Sequence, residues 1–187
     1  MRDFVVSIEA EYRRYKALGE AAMAQLNDAE LGAAEGASAN PVTVIVWHLG
    51  GNLASRFTDF LTTDGEKPWR NRDDEFAART AARTEVMARW ERGWSVLFEA
   101  LAQMTDADLA RTITIRSQPM RVHEALHRSL AHASYHVGQI VHIAKQHRGE
   151  TWHSLSIPPG QSVAYNLAPT RETPAAHAAK LAPPERG

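Results

Sequence analysis

The 187-residue chain contains no cysteine. Disulfides, cysteine-ligated zinc, iron–sulfur clusters and a cysteine nucleophile are excluded, and a cytoplasmic protein is the simplest expectation. Neither sign of charge predominates, with 21 Lys and Arg against 22 Asp and Glu. With that balance and no polybasic run, nucleic acid is not an expected partner. No apolar run approaches the roughly 20 residues a membrane helix needs, so no membrane partner is expected. Signal-peptide architecture is not expected either, because charges recur at Asp3, Glu9, Glu11, Arg13 and Arg14. No internal repeat of fixed period is present.

What the chain does have is core material. A hydrophobic fraction of 44% with five Trp suits one packed domain, expected over residues 1–168. The Ala-, Pro- and charge-rich stretch 169–187 reads as a disordered or weakly docked tail.

Hydrophobic spacing predicts an all-α fold. Phe4, Val5, Ile8, Tyr12 and Tyr15 recur at helical intervals and predict a first helix over 2–26. Residues 27–38, rich in Gly, Ala and acidic side chains, read as a loop. A second helix is expected to begin with Asn40 as cap and Pro41 in the first helical position. It would turn Ile45, Leu49, Leu53, Phe57 and Phe60 inward and end near Thr63, before Asp64-Gly65. Residues 64–76 form a charged connector. It reads as a solvated linker or, through Trp69 beside Arg70 and Arg72, as a lid over a pocket. A third helix is predicted over 77–104 on Val86, Trp90, Leu97, Leu101 and Met104. Alternation over Thr112–Ile115, a turn at 117–119 and a second short strand at 120–122 predict a β-hairpin, which must pack on the helices. The fourth helix is expected over 123–146, ended by Gly149. Trp152, Leu155, Ile157 and Tyr165 can anchor a C-terminal extension.

Chemistry concentrates on two of these helices. His132 and His136 are four residues apart, hence neighbours on one helical face and suitably spaced to ligate one metal. At about 100° per residue both fall on the shoulder of the stripe formed by Leu126, Ala133, Val137, Ile140 and Ala144. His48 occupies the edge of the second helix's apolar face, followed along the same rail by Asn52, Arg56 and Asp59. If the two helices pack side by side, His48 completes a three-imidazole set. His142 falls on the exposed side, His123 and His127 on the far shoulder, and His153 and His177 outside the helices. His147 lies roughly 16 Å of helix beyond His136, too far to share a metal. Three imidazoles suit zinc, nickel, iron or copper and leave a coordination position open. Gln139 or Asp59 would orient a ligand or a bound water, while Asn52 and Arg56 would hold a substrate carboxylate.

The run H-A-S-Y-H-V-G-Q-I at 132–140 with Ala131 before it, and V-W-H-L at 46–49, resemble the metal-binding helices of the DinB-like (DinB/YfiT) superfamily. The family motif has the form N-H-x-x-Y-H-R-G-Q-I. Here Ala131 replaces its Asn and Val137 its Arg, while Tyr135, His136, Gly138, Gln139 and Ile140 match. The resemblance covers about residues 5–147 and points to a poorly characterised branch. It implies an up-down-down-up four-helix bundle with a short β-hairpin before the fourth helix and a C-terminal extension. It also implies a homodimer and a divalent metal (zinc, nickel, iron or manganese) on His48, His132 and His136. Members include transferases and isomerases that use low-molecular-weight thiols. The expected function is therefore metal-dependent transfer of a small thiol to an electrophile, with Arg56 or the 70–72 basic pair holding carboxylates. The lack of cysteine agrees, since the sulfur would come from a cosubstrate. The alternatives are a non-enzymatic, stress-related metal-binding bundle and a metal-assisted hydrolase. Against the hydrolase, no Glu follows His132 in the H-E-x-x-H manner.

Overall fold

Tyr12 marks the centre of the molecule. In the computed structural model, which describes residues 1–34, 36 and 39–181, its ring meets Phe57 and Trp94 edge-on and its hydroxyl donates to the Leu126 carbonyl at 2.9 Å. One side chain thus touches all four long helices. In chain order the helices are α1 (Asp3–Met23), α2 (Asp28–Leu31), α3 (Val42–Phe57), α4 (Arg72–Glu75), α5 (Arg83–Ala102), α6 (Val122–Arg148), α7 (Ser162–Leu167) and α8 (Pro174–Leu181). A single two-stranded antiparallel sheet, β1 (Thr112–Ile115) with β2 (Gln118–Arg121), precedes α6. The fold is mostly helical. No helix among the described residues is long and apolar enough to cross a membrane.

The long helices bury one stripe each. Val5, Ile8 and Tyr12 of α1 face Leu126, Ala133 and Val137 of α6, while Trp90, Trp94 and Leu97 of α5 are fully enclosed. Helix α3 is buried on most of its circumference, which explains the β-branched run at its start. It lies so close to α5 that a Cβ on Gly93 would come within 2.7 Å of the Gly50 Cα. Such backbone contact admits only glycine.

The hairpin is fastened to the connector. Arg116 and Ser117 adopt left-handed conformations, with φ of 55° and 61°. Their backbone amides donate to the Asp64 carboxylate at 2.8 and 2.7 Å, and Gly65 N–H donates to Thr114 O. Ile113 and Ile115 point into the core, as the alternation predicts.

Several boundaries differ from the sequence reading. The first helix stops at Met23, and the 27–38 loop contains α2, because Asn27 and Glu30 form a capping box. Asn40 does not cap α3. Pro41 takes the flanking position itself, with ψ of 164°, and helical geometry begins at Val42. That helix ends at Phe57, not near Thr63. Thr58 turns extended and Asp59 takes a left-handed φ of 48°, so Phe60 enters the core from a turn. The third long helix begins at Arg83, because residues 77–82 offer no large apolar side chain to bury. Within the predicted tail, α8 packs along α1 with none of its residues buried, and His177 Nε2 donates to Leu155 O at 2.7 Å. Positions 35, 37 and 38 of the loop and 182–187 of the tail lie outside the described residues.

Candidate metal centre

The imidazoles of His48 on α3 and of His132 and His136 on α6 converge, with ligand atoms within 4.8 Å of one another. His48 Nε2 stands 3.1 Å and His136 Nε2 3.2 Å from His132 Nε2. Helical spacing explains the second pair: His132 and His136 are one turn apart on α6. Burial explains the first. His48 and His136 are buried and His132 half-buried, all at the seam between α3 and α6.

The protons on these rings follow from their other partners. His48 Nδ1 lies 3.0 Å from Glu75 Oε2, and a carboxylate there only accepts. His48 therefore carries its proton on Nδ1 and presents a bare Nε2. His136 Nδ1 lies 2.7 Å from Gln139 Oε1, and Gln139 Nε2 donates to the Tyr135 hydroxyl at 3.3 Å. That second bond fixes the amide so that its oxygen faces His136, which also presents a bare Nε2. His132 can give an Nε2 proton to only one of them, and its Nδ1 is buried without a partner. Three nitrogens aimed at one point, with at most one proton among them, fit a cation. Tetrahedral zinc with Zn–N near 2.05 Å separates its nitrogens by about 3.3 Å, close to the spacing present. The residues thus fit a divalent metal.

Electrostatics disfavour charge on the two α6 rings. Burial, then the neighbouring His136 and His48, Arg70 and Arg56, push His132 down to about 3. Burial depresses His136 most, the hydrogen bond with Gln139 opposes it, and the neighbouring His48 adds a smaller downward push. Burial alone would raise Glu75. Hydrogen bonds from Arg70 and His48 outweigh it and hold the carboxyl below its usual range. Arg70 is the decisive partner: its side chain is 2% exposed and donates through Nε and Nη2 to the two Glu75 oxygens, each at 2.8 Å. This bidentate pair keeps Glu75 ionised as the acceptor for the His48 ring proton.

Beside the triad opens a cavity of about 210 Å³, walled by His48 and His132 and, farther along, by Asn52, Arg56 and Arg128. On α3 the wall runs from His48 toward Arg56, and on α6 from His132 back toward Ala125. The two helices therefore leave the triad in the same direction along the cavity. Phe57, Phe60 and the hairpin residues Ile115 and Arg116 also line it.

The structure brings His48, His132, His136 and Gln139 together, with Asn52 and Arg56 on the cavity wall. Arg56 is tied down there by the Gly65 carbonyl and by Glu66 Oε2 at 3.2 Å. Asp59 does not belong with them. It is exposed beyond the end of α3 and lines a different depression, because the helix stops two residues before it. Of the connector residues read as a lid, Trp69 is 58% exposed and apart from the cavity wall, whereas Arg70 and Arg72 form part of it. His142 is exposed, His123 Nδ1 donates to Leu109 O, and His127 meets Phe4 edge-on.

Sequence reasoning missed Glu75 and Phe76, whose ring lies over His48 at 4.6 Å between centroids. One signal was present. Gly50 and Gly51 stand together in mid-helix, where each costs roughly 0.5–1 kcal/mol against Ala. A Cβ on Gly51 would collide with the Glu75 carboxylate, coming within 2.7 Å of its carbon. The pair marks a backbone that something approaches closely.

No curated protein and no solved structure matches the chain. A family model does match, over residues 1–161, and that span takes in all three histidines, Glu75 and the cavity walls. The chain belongs to the family described as "Protein of unknown function (DUF1572)".

Proposed function

We propose that this protein is a DinB-like, divalent-metal-dependent transferase that joins a low-molecular-weight thiol to an electrophile. The observation that carries the reading is the convergence of three imidazole nitrogens beside a cavity that two of the rings help to line. The contact register supports the up-down-down-up bundle. Helix α1 meets α6 at Phe4–His127 and, past both helix ends, at Gln25–His153, whereas it meets α5 in reverse, at Arg2–Met104 and Lys16–Glu91. A cytoplasmic homodimer belongs to the same reading.

A divalent cation on three imidazoles supplies an open position and lowers the pKa of a thiol or water bound there. The chain's own groups do the rest. Glu75 and Gln139 orient two ligand rings and fix their tautomers. Phe57, Phe60 and Ile115 give the cavity an apolar wall, and Asn52 offers a hydrogen-bonding amide one turn from His48. Arg70 and His48 fully engage Glu75, so no free carboxylate wall residue stands ready as a general base. That favours transfer of an already acidified thiol over hydrolysis.

Metal analysis of the purified protein beside His48→Ala and His136→Ala tests the site, with near-stoichiometric metal expected only in the wild type. Conjugation of glutathione, bacillithiol or mycothiol to 1-chloro-2,4-dinitrobenzene tests the reaction. Bound metal with a chelator-sensitive melting temperature, but no turnover with any thiol, would replace this reading with the non-enzymatic bundle. Ester hydrolysis without thiol would replace it with the hydrolase.

A further inference from the structure

The cavity is far more basic than the chain. Among the described residues its walls include five arginines, Arg56, Arg70, Arg72, Arg116 and Arg128, and no acidic side chain, in a protein of net charge −1. Two glutamates behind the walls answer part of this charge. Glu75 takes Arg70, and Glu66 is shared by Arg56 at 3.2 Å and Arg116 at 3.0 Å. Five arginines less two glutamates leave three positive charges unanswered at the cavity. Among the described residues Arg72 and Arg128 pair with no carboxylate. Arg72 lies over the Phe76 ring, 5.0 Å from its centroid, and so is held beside the ring that covers His48. Arg128 precedes His132 by one helical turn, about 5–6 Å along α6.

Like charges gathered around one space favour an anion there, and Arg72 and Arg128, both exposed, are within reach of one that enters from solvent. A helix face that merely needed solubility would interleave both signs. We propose that the cavity is an oxyanion site: the molecule handled at the metal centre carries a carboxylate or phosphate group that Arg72 and Arg128 bind. This rests on the metal-site reading, because the arginines gain their meaning from lying one turn from the triad. The volume, about 210 Å³, is below the range of about 300–1,000 Å³ for drug-sized ligands, so the cavity holds the acidic end of the ligand and not the whole of it. Guanidinium forks match the planar geometry of either oxyanion.

The test measures binding, not turnover, so that failure of the transfer chemistry does not decide it. Succinate, inorganic phosphate and the neutral isostere succinamide are titrated calorimetrically into the metal-loaded full-length protein at about 0.15 M ionic strength. The same titrations are run on Arg72→Gln/Arg128→Gln and on the charge-matched control Arg92→Gln/Lys145→Gln, whose positions are exposed and outside the cavity. Saturable 1:1 binding of succinate or phosphate is expected, with succinamide silent. Whichever anion binds more tightly identifies the carboxylate or the phosphate form. The cavity pair should lose about tenfold or more in affinity per arginine while keeping its metal content and melting temperature, and the control pair should lose little. The site is overturned if neither anion binds saturably, if succinamide binds equally, or if the control pair weakens binding as much as the cavity pair. Repeating the titration on His136→Ala separates the two readings. Anion binding without metal upholds the arginine site even where the metal reading fails.

Discussion

Glu75 shows how much can depend on one side chain. Glu75→Gln removes the negative acceptor of the His48 ring proton and leaves Arg70, 2% exposed, with only Glu66 at 3.9 Å as counter-charge. Metal affinity should fall about 10–100-fold, read by competition with a chromophoric chelator. Gly51→Ala should act on the same contact from the other side. The added methyl displaces the Glu75 carboxylate, so both metal affinity and stability should drop, the latter by about 1–3 kcal/mol in urea unfolding. His132 sets a pH dependence. Its folded value, about 3, lies below the ordinary 6.5, so between these the unfolded chain binds a proton that the native metal-free protein refuses. Stability is therefore fully present above about 6.5 and is lost as the pH falls toward 3. The melting temperature of chelated protein should decline through that window, and His132→Gln should flatten the decline. At this scale the histidines were legible because helical spacing is local: four residues place His132 and His136 together whatever else the chain does. Glu75 was not, because it is 27 residues from His48 and reaches it only through the path of the connector.

The elements that matter most for the site are the short ones. Helix α4 is a single turn of four residues, below the length at which a helix holds itself in water. It persists because the Asn71 side chain accepts from Asp74 N–H at 3.3 Å and because Arg70 and Glu75 clasp across it. Asn71→Ala should cost about 0.5–2 kcal/mol locally. The expected readout is faster amide exchange over residues 72–76 with little change in α3 or α6. Periodicity made the long helices visible and left their ends uncertain. Phe60 continues the inward pattern of α3 yet lies in a turn, since a hydrophobic residue reaches a core equally well from either. Asn40-Pro41 looked like a cap followed by a first helical residue. The chain instead uses Pro41 as the extended flank, and the two arrangements share one sequence signature.

For the molecule as a whole, binding of metal to the native state alone should appear as stability. At free metal about 100 times the dissociation constant the gain is about 2.7 kcal/mol, so zinc, nickel, iron or manganese should be ranked by the rise in melting temperature each gives. His48→Ala should abolish the rise with every ion. The general layout of long helices, hairpin and extension could be read from the chain because each apolar stripe needs a partner surface. What could not be read was how the connector folds back. That depends on Asp64 and Glu66 meeting the hairpin and Arg70 meeting Glu75, which are contacts between segments with no shared periodicity.

The origin of Glu75 in the connector divides labour between parts held in different ways. The three histidines ride on long helices whose buried stripes are committed to packing. The carboxylate that tunes one of them, and two of the arginines that wall the cavity, come from a segment bound mainly by its own polar contacts. Exchange of residues 66–76 between relatives would then retune the reactivity and ligand preference of the centre while leaving its scaffold unaltered. A library confined to that segment should yield variants that differ in chemistry but melt within a few degrees of one another.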